Sequence, residues 1–168
     1  EIYFPDSLKE LKEGWCCGTN KLIKIIISPS NYQFKFIDNT YLIGKSDSNK
    51  TEFDILLFVR RDIEKFTIPS NIKVISSYTF FCCGKLKKVE IPTNSNLQTI
   101  GSNAFSFTNI KSIFIPSKVL KICSNAFSDC RNLIKVEIPT NSNLQTIELN
   151  AFSVTNIESI FIPSKVSK

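Results

Sequence analysis

Residues 88–119, KVEIPTNSNLQTIGSNAFSFTNIKSIFIPSKV, return as residues 135–166 with 28 of 32 positions unchanged. The four differences are Gly101/Glu148, Ser102/Leu149, Phe107/Val154 and Lys111/Glu158. Inside this 47-residue period lies a shorter one. The dipeptide Ile-Pro recurs at Ile68-Pro69, Ile91-Pro92, Ile115-Pro116, Ile138-Pro139 and Ile162-Pro163, in steps of 23, 24, 23 and 24. An ordinary α/β domain with chance similarity does not produce such agreement. Self-similarity at this spacing marks a chain of stacked units.

Within each unit the order of apolar residues is fixed. Leu86-x-x-Val89-x-Ile91 becomes Ile110-x-x-Ile113-x-Ile115, then Leu133-x-x-Val136-x-Ile138, then Ile157-x-x-Ile160-x-Ile162. Alternation over the last positions is strand periodicity in good strand formers. The proline that follows removes a ladder donor and turns the chain out of the sheet. A second apolar pair comes next: Leu97 and Ile100, Val119 and Ile122, Leu144 and Ile147. The Ser-Asn-Ala-Phe segments then predict a capped helical turn. One such coil cannot cover its own apolar residues, whereas stacked coils bury them as ladders. The expected columns are Val89/Ile113/Val136/Ile160, Ile91/Ile115/Ile138/Ile162 and Phe80/Phe105/Phe127/Phe152.

The first third is less regular. Leu22-x-x-Ile25-x-Ile27 fits the strand template, with Ser28-Pro29 after it. Phe34, Phe36, Tyr41 and Ile43 then alternate around Asp38-Asn39-Thr40, and Ile55 to Val59 form another apolar run. This predicts a β-hairpin inserted into one coil, its turn held by Asp and Asn. Trp15 and the residues before it are expected to close the preceding coil.

With a period inside the ~20–29 residues of leucine-rich repeats, the sequence resembles the BspA-like, or treponemal-type, leucine-rich repeats. Ile122-x-x-x-Ala126-Phe127-x-x-Cys130-x-x-Leu133-x-x-Val136 with Ile138-Pro139 matches that family's unit. Ile75, Phe80, Cys83, Leu86, Val89, Ile91 and Pro92 repeat most of it. The resemblance covers 63–168, and more loosely 15–62, where Asn31 to Asp38 looks like the hairpin unit of eukaryotic-microbe members. Every second unit departs from it by lacking the Cys, being one residue shorter between Phe and strand and carrying two extra residues in the Thr-Asn-Ser-Asn loop.

The resemblance implies an α/β repeat solenoid, a right-handed coil with a parallel β-sheet on its concave face and short helical or irregular convex segments. The chain then reads as one domain: a divergent repeat over 1–30, a hairpin-bearing repeat over 31–62 and regular repeats over 63–168. Beginning at Glu1 and closing after an Ile-Pro-Ser-Lys-Val block, it is expected to be a fragment of a longer solenoid.

Composition narrows the function. With 42% hydrophobic and 21% charged residues the chain reads as globular protein. Its longest apolar runs, such as Ile55 to Val59, fall far short of the ~20 residues of a membrane helix, so no membrane insertion is expected. The net charge of +6 comes from scattered lysines, with Arg only at 60, 61 and 131. That is a solvated surface, without the clustered Arg and Lys of nucleic-acid binders. There is no His, no Gly-rich phosphate loop and no nucleophile elbow, so neither an enzyme nor a cofactor is expected. Cysteines stand at 16, 17, 82, 83, 123 and 130. Adjacent pairs chelate poorly, so no metal site is expected. Cys83 and Cys130, two coils and roughly 10 Å apart, lie beyond the ~7 Å limit for a disulfide. Both read as small buried packing residues, and free thiols are expected throughout, a bridge from Cys16 or Cys17 to another coil being the alternative.

Residues between the buried strand positions are expected on the concave surface. One row is Lys65, Lys88, Ser112, Lys135 and Ser159; the second is Thr67, Glu90, Phe114, Glu137 and Phe161. Phe114 and Phe161 would flank Glu137 as exposed anchors with a charged rim, the layout of a protein interface. The bland alternative is a strand-favouring pair of aromatics and a solvated charge ladder. Partners from this reading are a protein and, through the aromatics, a glycan. The resemblance implies adhesion or recognition at a cell surface or after secretion; an intracellular structural assembly is the competing function. The sequon Asn49-Lys50-Thr51, on the predicted hairpin tip, weakly favours secretion.

Overall fold

A computed structural model describes residues 1–167. Strands β1 (Ile2–Phe4) and β2 (Ile25–Ile27) precede an antiparallel meander of β3 (Phe34–Ile37), β4 (Tyr41–Gly44) and β5 (Ile55–Val59). The regular units then alternate a three-residue and a two-residue strand. They are β6 (Lys65–Thr67), β7 (Val74–Ile75), β8 (Lys88–Glu90), β9 (Thr99–Ile100), β10 (Ser112–Phe114), β11 (Lys121–Ile122), β12 (Lys135–Glu137) and β13 (Thr146–Ile147). Each Ile-Pro works as read: the carbonyl of Pro69, Pro92, Pro116, Pro139 and Pro163 accepts the N–H three residues on, turning the chain between strands.

The short strands form the continuous wall. One seven-stranded sheet runs β13-β11-β9-β7-β5-β4-β3, parallel from β13 to β5, with the hairpin added antiparallel at its end. Asp38 and Asn39 take φ of 47° and 49° at the hairpin turn, the left-handed pair that a tight hairpin requires. The longer strands, expected to make one parallel sheet, instead pair two by two: β1 with β2, β6 with β8, β10 with β12. Two coils make one structural period, as the 47-residue repeat does. Residues 159–161, one long period after β10, are not a strand.

The expected helical turns are absent; the described residues contain no helix. In a helix each N–H would bond four residues back. Here alternate amides cross to the next coil instead: Asn103 to Ser124, Phe105 to Ala126 and Phe107 to Ser128, followed by Asn125 to Leu149, Phe127 to Ala151 and Asp129 to Ser153. Left-handed residues four apart in each unit, such as Asn103 and Phe107 (φ 53° and 59°), aim those amides along the stack. The intervening amides close three-residue turns, Ala104 on Gly101 and Ser106 on Asn103. This third ladder satisfies the backbone that a helix would have satisfied internally.

The columns form as read. Val89, Ile113 and Val136 are buried with Ile91, Ile115 and Ile138, whereas Ile160 is half-buried and Ile162 exposed at the last coil. The Phe80, Phe105, Phe127 and Phe152 rings stack at 4.7, 5.0 and 5.2 Å, within 9° of parallel. A second core holds Phe4, Phe34 and Phe58 beside Trp15. β5 is the seam, giving Leu56 and Val59 to one core and Leu57 and Phe58 to the other. Arg61 crosses the same seam. Its buried guanidinium donates to the carbonyls of Thr79 (2.6 Å) and Tyr78 (3.2 Å) and lies 4.8 Å over Phe58.

The loop before β5 is pinned by Asp54, whose buried carboxylate accepts from Ser46 N–H (2.9 Å), Ser46 Oγ (2.8 Å) and Lys73 Nζ (3.2 Å). Burial alone would raise its pKa, but these donors together hold it below the usual carboxylate value. A group depressed on folding stabilises the fold above its unfolded pKa, near 3.9 for Asp. That contribution is lost as pH falls through the folded value. Asp54→Asn is therefore expected to be less stable at pH 7 and to lose less on acidification below about pH 4. Denaturation at the two pH values checks this; an unchanged acid slope would remove Asp54 from the account.

Candidate interaction face

The two predicted rows lie where strand alternation puts them. Lys65 is level with Lys88 and Thr67 with Glu90, and Ser112 is level with Lys135 and Phe114 with Glu137. All are exposed except Phe114, which is half-buried. Ser159 and Phe161 are exposed too, but on an irregular segment. Phe161 is 52% exposed, so it offers an open aromatic where Phe114 offers only an edge. The symmetric pair of exposed anchors is therefore not formed.

The charges on this face satisfy one another within each strand. Lys88 pairs with Glu90, and Lys135 with Glu137 at 2.7 Å. Residues two apart on a strand share a face, and a lysine stem spans the gap. The Lys88 ammonium, by hydrogen bond and charge, holds Glu90 below the usual carboxylate range. Thr67 adds a 3.3 Å hydroxyl contact. Exposed pairs of this kind contribute little to stability but set a +/− pattern that a partner must match.

Two features escape the sequence reading. Thr108 and Thr155 fill the slot of Cys83 and Cys130, three residues after the stacked Phe, so the units without Cys keep a small polar group there. Cys130 Sγ donates to the Phe105 carbonyl (3.0 Å) and lies 3.3 Å from Thr108 Oγ1. The second feature is an aromatic group on the left-handed-turn side, Tyr78–Phe81–Phe107, with ring separations of 5.3 and 5.7 Å. Phe107 is one of the four positions where the long repeat differs, and that was the available signal.

All six cysteines are free thiols, and Cys83 and Cys130 are fully buried as packing residues. Burial pushes the Cys16, Cys82, Cys83, Cys123 and Cys130 thiols up, away from the thiolate a nucleophile needs. Among the described residues no His, Cys, Asp and Glu side chains gather into a metal site, and no helix is long and apolar enough to cross a membrane.

A sequence profile described as "BspA type Leucine rich repeat region" matches residues 51–168 in six copies. No functionally curated protein matches the chain. Among solved structures the chain is similar to a leucine-rich repeat protein from Eubacterium ventriosum, at 22% identity and TM-score 0.57, covering 98% of this chain and 55% of that one. It is also similar to the pneumococcal vaccine antigen PcpA, at 18% identity and TM-score 0.59, covering 98% and 49%. The chain thus spans about half the length of these structures, and the likeness shows a shared fold.

Proposed function

The chain belongs to the BspA-type leucine-rich repeat family, and on that premise we propose that it is a non-catalytic protein-interaction module for adhesion or recognition. The partner-binding face is the outward side of the longer strands, the concave wall in this reading. It comprises Lys65, Thr67, Lys88, Glu90, Ser112, Phe114, Lys135, Glu137, Ser159 and Phe161. The observation that carries it is Phe161, 52% exposed, in the expected row of Glu137, which is paired with Lys135. An open aromatic with a paired-charge rim is the pattern of an interface hot spot. A structural neighbour that is a vaccine antigen supports a surface location. The divisions at residues 30 and 62 are likewise part of this reading.

Capture of partners from host-cell surface extract, compared between wild type and Phe161→Glu/Lys135→Glu, is the test. Recovery is expected to fall about tenfold or more, the loss of one hot spot, with the circular dichroism unchanged. Undiminished recovery removes this face from the proposal. The six unpaired thiols favour a second reading, a component of an intracellular assembly. Six titratable thiols in protein unfolded without reductant support it, whereas locked pairs exclude it.

A further inference from the structure

The hairpin leaves an unused strand edge. β2 has β1 as its only strand partner among the described residues. The Ile2 N–H donates to Lys24 O and the Ser28 N–H to Phe4 O, with Ile2 level with Ile25 and Phe4 level with Ile27. In a parallel ladder this parity turns the amides of Lys24, Ile26 and Ser28 towards β1. The N–H and C=O of Ile25 and Ile27 therefore point the other way, and among the described residues no hydrogen bond reaches them. No Cα of β6, the next longer strand, comes within 8 Å of β2, although β8 and β10 approach each other that closely; β3 of the hairpin does come within 8 Å of β2. Since paired strands lie about 4.8 Å apart, β2 and β6 are separated by more than one ladder spacing.

Next to β2 is a groove of about 410 Å³, with Ile25 and Ile27 on one wall and Phe34, Phe36 and Ile37 of the hairpin on the other. Lys35 is the one charged side chain lining it. Lys35 makes no ion pair among the described residues; its ammonium lies 4.5 Å over the Phe53 ring. Lys45, outside the groove lining, lies 5.2 Å from the same ring centroid. An unneutralised cation at Lys35 therefore borders an apolar slot whose other wall offers free backbone donors and acceptors.

We propose that this groove binds an extended, acidic peptide segment, which adds as a strand to the free edge of β2 through the Ile25 and Ile27 backbone and places a carboxylate at Lys35. Main-chain pairing supplies the affinity in strand addition, and alternate side chains in pockets supply the selectivity. Here the inward side chains pack against Phe36 and Ile27, and the charge at Lys35 sets the sign of the ligand. The groove lies outside the rows that end at Phe161 and stands or falls separately from them.

The probe is a fluorescein-labelled hexapeptide of alternating Glu and Val, titrated into the full 168-residue chain. Saturable binding is expected, weakened about tenfold by Lys35→Glu, a change of one local charge sign. The matching Lys/Val peptide should bind the wild type weakly and the Lys35→Glu variant better. Hydrogen exchange reads the strand itself: free protein should protect the Ile26 amide and leave Ile25 and Ile27 fast, and the acidic peptide should slow both. Three outcomes overturn the proposal. They are equal binding by peptide N-methylated at alternate amides, equal binding of both charge types, or Ile25 and Ile27 already protected by self-association of the chain.

Discussion

Phe105→Ala is expected to lower the stability of the chain by about 3–5 kcal/mol, the cost of a large cavity in a core that relaxes only partly. Phe105 is fully buried between two near-parallel rings, Phe80 at 4.7 Å and Phe127 at 5.0 Å. Each aromatic contact adds roughly 0.5–1.5 kcal/mol beyond area burial, and truncation breaks both. Phe152 is the same residue one long period later, in nearly the same sequence. It is only half-buried and has one ring neighbour, at 5.2 Å. Phe152→Ala should therefore cost less than half as much. Urea denaturation of the two variants measures the difference. Equal losses would mean that neighbouring coils do not supply the stabilisation, against the premise of a stacked array.

That contrast shows what the sequence made legible. The repeat put Val89, Ile113, Val136 and the phenylalanines into columns because burial in a solenoid follows the period, and periods are visible in one dimension. The hairpin was legible for a similar reason: Phe34, Phe36, Tyr41 and Ile43 alternate about an Asp-Asn turn. The helical turns failed because Ser-Asn-Ala-Phe has a capping residue and good local propensity. A propensity has no means of showing that the next coil will offer carbonyls to the Asn103, Phe105 and Phe107 amides. The left-handed φ at Asn103, Asn125 and Asn150 is favourable for Asn, so that residue was the overlooked sign.

The proposed face was legible by row and not by exposure. Alternation correctly sends Lys88 and Glu90 outward, but whether Phe114 stands clear depends on neighbouring coils. The strand pairing is the deeper omission. Nothing in the 23/24 step announces that β8 and β10 lie side by side without a shared ladder. The 47-residue period does announce it, since units that alternate in loop length need not alternate evenly in space. The free edge of β2 follows the same two-by-two rule, widened by the inserted hairpin.

The four differences between the long repeats invite exchange, and the structure predicts that one exchange is strongly asymmetric. A Cβ at Gly101 would stand 2.6 Å from Ser77 N and 2.8 Å from both Ile75 O and Ser76 C, all backbone of the adjoining coil. Gly101→Ala is therefore expected to cost about 1–3 kcal/mol through overpacking. Gly101→Glu should cost more. At Glu148 the carboxylate accepts the Ser124 N–H (2.9 Å) and hydroxyl (3.0 Å) and meets Lys121 at 2.6 Å. At 101 the adjoining coil offers Ser77 for Ser124, but strand register replaces Lys121 with Val74. The carboxylate would be packed into a buried position without its cation, a burial that is costly unless paired. The reverse change, Glu148→Gly, loses one partly exposed charge network and should cost about 1 kcal/mol. Thermal and urea unfolding of both variants decide the matter. Were Gly101→Glu as mild as Glu148→Gly, the coils would be interchangeable in space as well as in sequence, and the close approach at Gly101 would not constrain the stack.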